Sequence, residues 1–280
     1  MPLDEINGRY GKYLDSMTLA FQNHLKDIIA KAQAKVISKL QRDLKITDGV
    51  LDSVPSNLRL LRQFDDIFAQ AMDDAGYQQL IEAFVSRFPG QLRFMQEIIS
   101  DLNDSIKRKL IPEKVTAATR DILNSFQVNA TQVLESLVTR AAQITMNRTL
   151  FAVAGMEFGD LVSHIAKTFD RSLAESVGLA ETSSSMFLRI AMNGQFDAAQ
   201  KGQNEPLRFE YSGPRDLLNR EFCRKMLDKT RAGESWTKEE IEKMDNDQGL
   251  PVFTCAGGFR CRHQFILAVA ALQSSEQQAA

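Results

Sequence analysis

The chain has 280 residues, 44% of them hydrophobic and 25% charged, with a formal net charge of −2. Such a balance is ordinary for a globular protein and leaves no global field to draw in DNA, RNA or an anionic membrane. Three cysteines are too sparse and odd in number for a disulfide scaffold, which points to a reducing compartment. The first residues, Met1-Pro2-Leu3-Asp4-Glu5, lack the basic-then-apolar pattern of a secretory leader, and no apolar run reaches the roughly 18–20 residues of a membrane span. A soluble, cytosol-made protein is expected.

Tyr10, Leu14, Met17, Phe21, Leu25, Ile28, Ala32, Val36 and Leu40 recur at steps of three and four, which predicts one apolar stripe along a helix of about forty residues. Its mean step is slightly above 3.6, so the stripe does not drift like a heptad seam. Thr47-Asp48-Gly49 reads as a break, and Asp52, Ser53 and Pro55 as the caps and first turn of the next helix. Leu58 to Ala71 makes a further helical face. Leu80 to Phe88 makes a short helix ended by Pro89-Gly90, and Leu92 to Ile106 another, stopped near Pro112. A second long helix is expected from Glu113 to about Phe151, with Val115, Ile122, Phe126, Val133, Leu137 and Ile144 near one face. Gly155 and Gly159 punctuate a piece packed by Phe158, Leu161, Val162, Ile165 and Phe169. Short helices over 172–180 and 186–199 follow, with Thr182-Ser183-Ser184-Ser185 as a flexible polar stretch between them.

Nothing in this region carries a chemical signature. His24 and His164 lie on or beside apolar faces and read as packing or surface residues. Asp65-Asp66 and Asp73-Asp74 have no accompanying histidine or glycine-rich loop, so they read as helix-surface charge.

After Gly202 the pattern changes. Leu207, Phe209 and Tyr211 alternate with charged residues as in a strand, and Ser212-Gly213-Pro214 turns the chain. Asp216 is expected to cap a helix whose apolar positions include Leu217, Phe222, Met226 and Leu227. Thr237-Lys238-Glu239-Glu240 is a capping box, with Trp236 placed to pack on the helix that follows. Gly249-Leu250-Pro251-Val252-Phe253 restarts extended structure. A final strand puts Phe259, Cys261, His263 and Phe265 on one face, opposite Arg260, Arg262 and Gln264. Cys261 and His263 are then neighbours that could chelate one ion; Cys255 is close in sequence, and Cys223 could close a tetrahedral zinc site. Buried thiols beside a hydrogen-bonded core histidine explain the same residues without a metal. The expected class is mainly α, an extended helical body over 1–200 with a small α+β module over 201–272 and a polar tail over 273–280.

Read in order, Tyr211-Ser212-Gly213-Pro214-Arg215-Asp216, Arg220-Glu221-Phe222-Cys223, Trp236-Thr237 with Glu240-Ile241, Gly249-Leu250-Pro251-Val252, Gly257-Gly258 and Cys261-Arg262-His263 form a series of short motifs. The series resembles the C-terminal domain of tailed-bacteriophage head morphogenesis proteins, the Mu protein F-like minor head proteins, over about residues 185–265. Leu217-Leu218-Asn219 departs from the pattern, where the family tends to have a Thr before the Arg. By this resemblance Cys223, Cys261 and His263 are the motif's cysteine and histidine positions, and Cys255 is incidental.

The resemblance implies a minor structural protein of a phage head, internal or near the portal, assembled in the host cytoplasm and carried in the virion. Portal or capsid subunits are the implied partners, with self-association where long helices present more apolar surface than one chain buries. Two alternatives remain: a zinc-stabilised protein contacting DNA through Arg215, Arg220, Arg260 and Arg262, and an enzyme with Cys223 or Cys261 as nucleophile and His263 as base. The enzyme reading lacks a third catalytic group or an oxyanion loop, so no turnover is expected, and no cofactor beyond zinc.

Overall fold

The computed structural model describes residues 3–150 and 156–269, and the side chains of 9, 11–137 and 156–269. Within it the chain is mainly α, with a small α+β module in its C-terminal part. Helix α1 (Leu3–Asp43) runs 41 residues on the strength of its stripe. Leu14, Met17, Phe21, Leu25, Ile28, Ala32, Val36 and Leu40 are all buried, as their spacing requires. The side chains of Tyr10 and Ile144, and Phe151, Gly155 and the 273–280 tail, lie outside the described residues.

The expected break at Thr47-Asp48-Gly49 is a β-hairpin, β1 (Ile46–Thr47) paired antiparallel with β2 (Val50–Leu51). Asp48 and Gly49 both take positive φ, 52° and 81°, as a two-residue hairpin turn needs. Buried Asn57 anchors this corner: its amide oxygen accepts the Lys45 N–H, and its NH2 donates to the carbonyls of Lys45 and Asp52. Pro55 opens α2 (Pro55–Arg62) as expected, although the N-cap is Val54 and neither Asp52 nor Ser53.

Helices α3 (Phe64–Asp74) and α4 (Tyr77–Val85) follow. Pro89-Gly90, expected to end a helix, lies in the first turn of α5 (Phe88–Ser105), where the missing proline N–H needs no partner. On α6 (Ala117–Leu150) the expected packing face is only partly covered. Ile122 and Val133 are 57% and 46% exposed, whereas Leu123 and Leu134, about 100° round the helix, are buried. Where separate pieces are expected after Gly159, one 43-residue helix, α7 (Phe158–Gln200), continues without a break. Its Thr182–Ser185 stretch is buried; the Ser185 hydroxyl donates back to the Thr182 carbonyl, and the Thr182 hydroxyl accepts the Arg260 N–H at 2.9 Å.

The module comprises β3 (Arg208–Ser212), α8 (Glu221–Arg231), β4 (Trp236–Thr237), α9 (Lys238–Glu242), α10 (Val252–Cys255) and β5 (Gln264–Leu267). Its antiparallel sheet has the order β4-β3-β5, with Phe209 opposite Trp236 and Leu267, and Tyr211 opposite Phe265. Three expectations are corrected. Asp216 and Leu217 precede the helix; Leu217 is fully exposed, and α8 starts only at Glu221. Residues 252–255 are helical, with Pro251 as N-cap where extended chain is expected. The final strand starts at Gln264, so Phe259, Cys261 and His263 lie in the loop before it.

The chain forms two compact units, one of Met1–Met17, Arg87–Val128 and Glu181–Ala280, the other of Thr18–Ser86 and Asn129–Ala180. The expected border at residue 200 falls inside the first, because the module's sheet packs on α7: the rings of Phe196 and Phe209 lie 5.3 Å apart. Phe88 and Phe187, 4.9 Å apart, continue this core. The second unit centres on Phe21 with Phe84 and Phe68 with Phe169, at 4.8 Å and 4.5 Å. There the buried Tyr77 hydroxyl donates to the Leu134 carbonyl at 2.9 Å. The α1 stripe is thus covered within the chain, while Leu19, Ile122, Val128 and Val133 stay exposed. No described helix is long and apolar enough to cross a membrane.

The Thr237–Glu240 capping box forms as expected: Thr237 Oγ1 accepts the Glu240 N–H at 3.2 Å, and Glu240 Oε2 accepts the Thr237 N–H at 2.7 Å. Thr237→Ala should therefore cost about 1 kcal/mol of stability, read from the midpoint of denaturant unfolding.

Candidate metal centre

Cys223, Cys261 and His263 are each buried, and their donor atoms all lie within 4.8 Å of one another. The amphipathic turn of α8 delivers Cys223, because Phe222, Cys223, Met226 and Leu227 form its buried face. Cys261 and His263 arrive by a loop. Ala256, Gly258 and Arg260 take positive φ (52°, 92° and 59°), and the Gly258 and Cys261 N–H groups donate to the carbonyls of Cys255 and Gly258. These reversals carry the Cys261 sulfur back beneath the loop backbone. There it accepts the N–H of Gly257 at 3.2 Å and of His263 at 3.4 Å.

Two glycines make room. A Cβ on Gly257 would overlap the Cys223 sulfur, and one on Gly213 would overlap the His263 ring. His263 Nε2 lies 2.8 Å from the Pro214 carbonyl, which can only accept, so Nε2 carries the proton and donates. That contact leaves Nδ1 facing Cys261 Sγ at 3.5 Å. Tyr211 on β3 stacks on the imidazole, with 5.3 Å between centroids and planes 8° apart. Its hydroxyl donates to Cys223 Sγ at 3.4 Å and lies 3.7 Å from Cys261 Sγ.

The electrostatics separate the two sulfurs. The hydrogen bond from Cys223 holds the Cys261 thiol well below its ordinary range, helped by the Arg189 guanidinium. The same bond, together with burial, pushes the Cys223 thiol up. Burial and the two thiols also raise the Tyr211 phenol. Cys261 is therefore the more acidic of the two sulfurs, with Cys223 placed to donate to it. Cys255 is buried, and burial raises its thiol, but it stands outside the three-residue group.

The donor set suits a thiophilic metal. Tetrahedral zinc with ordinary bond lengths separates two sulfurs by roughly 3.8 Å, and sulfur from nitrogen by roughly 3.6 Å. Here Cys223 Sγ and Cys261 Sγ lie 3.8 Å apart, and Cys261 Sγ and His263 Nδ1 lie 3.5 Å apart. A backbone carbonyl on the far ring nitrogen and amide N–H groups on a sulfur are the outer contacts that orient metal ligands. A bound zinc would link α8 to the loop that leads into β5.

Arg189 is a site residue that sequence pattern alone does not single out. It is 2% exposed on α7, donates to the Cys255 carbonyl at 3.2 Å, and also engages the carbonyls of Thr254 and Cys261. Only its place among Phe187, Leu188, Ala191 and Met192, all buried, hints in the sequence that a guanidinium is taken inside. The arginines considered for DNA are engaged locally. Arg215 pairs with Asp228 at 2.8 Å, Arg260 with Glu181 at 2.5 Å and Arg262 with Asp216, while Arg220 donates to the Gly257 carbonyl at 2.6 Å.

Comparison of the chain with protein-family models, with curated proteins and with solved structures returned no match.

Protein refolded with zinc should carry one equivalent by elemental analysis. Chelation should lower its melting temperature, and Cys223→Ser should abolish both the metal and the chelator sensitivity. Arg189→Met keeps the apolar stem but leaves loop carbonyls without their charged donor. It should cost about 2–3 kcal/mol of stability by denaturant unfolding.

Proposed function

We propose that this chain is a minor structural protein of a bacteriophage head, portal-proximal or internal, assembled in the host cytoplasm and carried in the virion. In this reading it acts by assembly with portal or capsid subunits and performs no turnover chemistry. Its C-terminal module is a zinc-held clamp on Cys223, Cys261 and His263.

One observation carries the reading: four of the six separated motifs of the series, those at 211–216, 220–223, 257–258 and 261–263, meet around a single cluster. Tyr211 touches both sulfurs, Gly213 makes room for His263, and Pro214 accepts from it. Arg220 holds the Gly257 carbonyl above Cys223, and Asp216 pairs with Arg262 beside His263. Residues scattered over the series thus act as one structural unit, as expected of a module retained for its shape. The exposed Ile122 and Val133 on α6 supply apolar surface for self-association or for a neighbouring subunit.

A cavity of about 440 Å³ reaches Cys223, Cys261 and His263, and this favours a second reading, a Cys/His enzyme. In that reading the Cys261 thiolate is the nucleophile. Against it, the sulfur already accepts two backbone N–H groups, and the orienting partner of His263 is a carbonyl where a carboxylate would be expected. A thiolate that holds zinc is not available to attack, so the metal stoichiometry separates the two readings.

Particles purified from cells carrying this gene, analysed by quantitative mass spectrometry, should contain the chain at a small fraction of the major capsid protein's abundance. Its absence from the particles, with expression in the same cells confirmed, would end the virion reading.

A further inference from the structure

We infer that Cys223 and Cys261 form an oxidative modification site, a dithiol that hydrogen peroxide converts to a disulfide between α8 and the loop before β5. The two sulfurs are those of the zinc reading, but their oxidation needs no metal.

The sulfurs lie 3.8 Å apart, against about 2.05 Å in a disulfide, so a closing of about 1.8 Å joins them. Cys223 belongs to a helix and Cys261 to a loop 38 positions later, and only the folded chain brings them together. Gly257 lets the loop backbone lie against both. A Cβ there would overlap the Cys223 sulfur and crowd that of Cys261 at 3.1 Å. The Tyr211 hydroxyl also touches the pair, at 3.4 Å from Cys223 Sγ and 3.7 Å from Cys261 Sγ.

A route to the buried pair exists, because both cysteines line the cavity of about 440 Å³. A water takes up about 30 Å³ in the liquid, so a molecule of two oxygens has ample room. Cys255 is buried too, yet it is neither among the residues lining that cavity nor one of the three whose donor atoms cluster. The fold thus sets one thiol apart from a pair that has both access and a second sulfur at hand.

Peroxide is the only reagent the reaction adds. One sulfur attacks a peroxide oxygen: the S–O bond forms, the O–O bond breaks, and the thiol proton leaves with the departing hydroxide as water. The second sulfur then attacks the first: the S–S bond forms, the S–O bond breaks, and the hydroxyl leaves with the second thiol proton as water. Each sulfur is oxidised by one electron, and the peroxide is reduced by two. A reducing dithiol reverses the change by exchange. Metal ligation requires thiolates, so the disulfide and a bound zinc at these cysteines exclude each other.

The test uses the full chain, reduced, freed of reductant, held in a chelator and treated with hydrogen peroxide. It is then unfolded in an alkylating reagent and mapped by peptide mass spectrometry. Alkylated thiols should fall from three per chain to one, with the remaining label on Cys255. The Cys223 and Cys261 peptides should appear linked, lighter by two hydrogens, and dithiothreitol should restore all three thiols. Cys255→Ser should keep the linked pair and Cys223→Ser should abolish it. Three thiols surviving the treatment would overturn the site, as would label lost from Cys255 as fast as from the pair. Sulfinic or sulfonic acid on one cysteine beside an unreacted partner would overturn the disulfide. The same pairing in a chain unfolded before peroxide is added would overturn the role of the fold. A linked pair in a chain that never takes up zinc would leave this site standing and remove the metal centre instead.

Discussion

A buried segment with little regular structure must find partners for its backbone polar atoms, and residues 252–263, the single turn of α10 and the loop after it, are such a segment, buried over most of their length. Four side chains meet that demand. Arg189 takes the carbonyls of Thr254, Cys255 and Cys261, Asn193 that of Phe253, and Asn246 those of Leu250 and Ala256, while Arg220 takes that of Gly257. Arg189, Asn193 and Asn246 are themselves buried, so the same contacts also give their own donors partners away from water. The position of Cys261 and His263 depends on this exchange far more than on any strand geometry.

Once the loop is held, the cluster chemistry follows from proximity. A cysteine sulfur beneath backbone N–H groups, a second from a helix face and an imidazole oriented by a carbonyl are brought together in a recess of the module. The recess is bounded by aromatic packing: Tyr211 contacts Phe222, His263 and Phe265, and Phe209 contacts Phe196 and Phe253. Apolar walls fix where the donors sit, and the geometry of the donors would suit a metal that ties α8 to the loop before β5.

The helices serve a different end. α1, α6 and α7 each supply residues to both units. Their buried stripes hold these cores, and the large apolar residues they leave exposed among the described residues are Leu19 on α1 and Ile122, Val128 and Val133 on α6.

Much of this was legible in the residues themselves, wherever the information is local. The α1 stripe, the Pro55 helix start, the 208–212 strand and the Thr237 capping box depend on spacing and on a residue's own backbone chemistry, which operate within one turn or one strand. The pairing of Cys261 with His263 and the recruitment of Cys223 could also be read, but for a reason that proved incomplete, since a loop and not a strand joins them. Tertiary structure alone decided what depends on distant partners. The continuity of α7 through Thr182–Ser185 requires burial of that stretch, the phase of α6 requires neighbours that cover Leu123 and leave Ile122 out, and the burial of Arg189 requires carbonyls 65 or more residues away. Sequence periodicity reports which faces a segment can bury, whereas the match between one segment's donors and another's carbonyls exists only after the chain has folded.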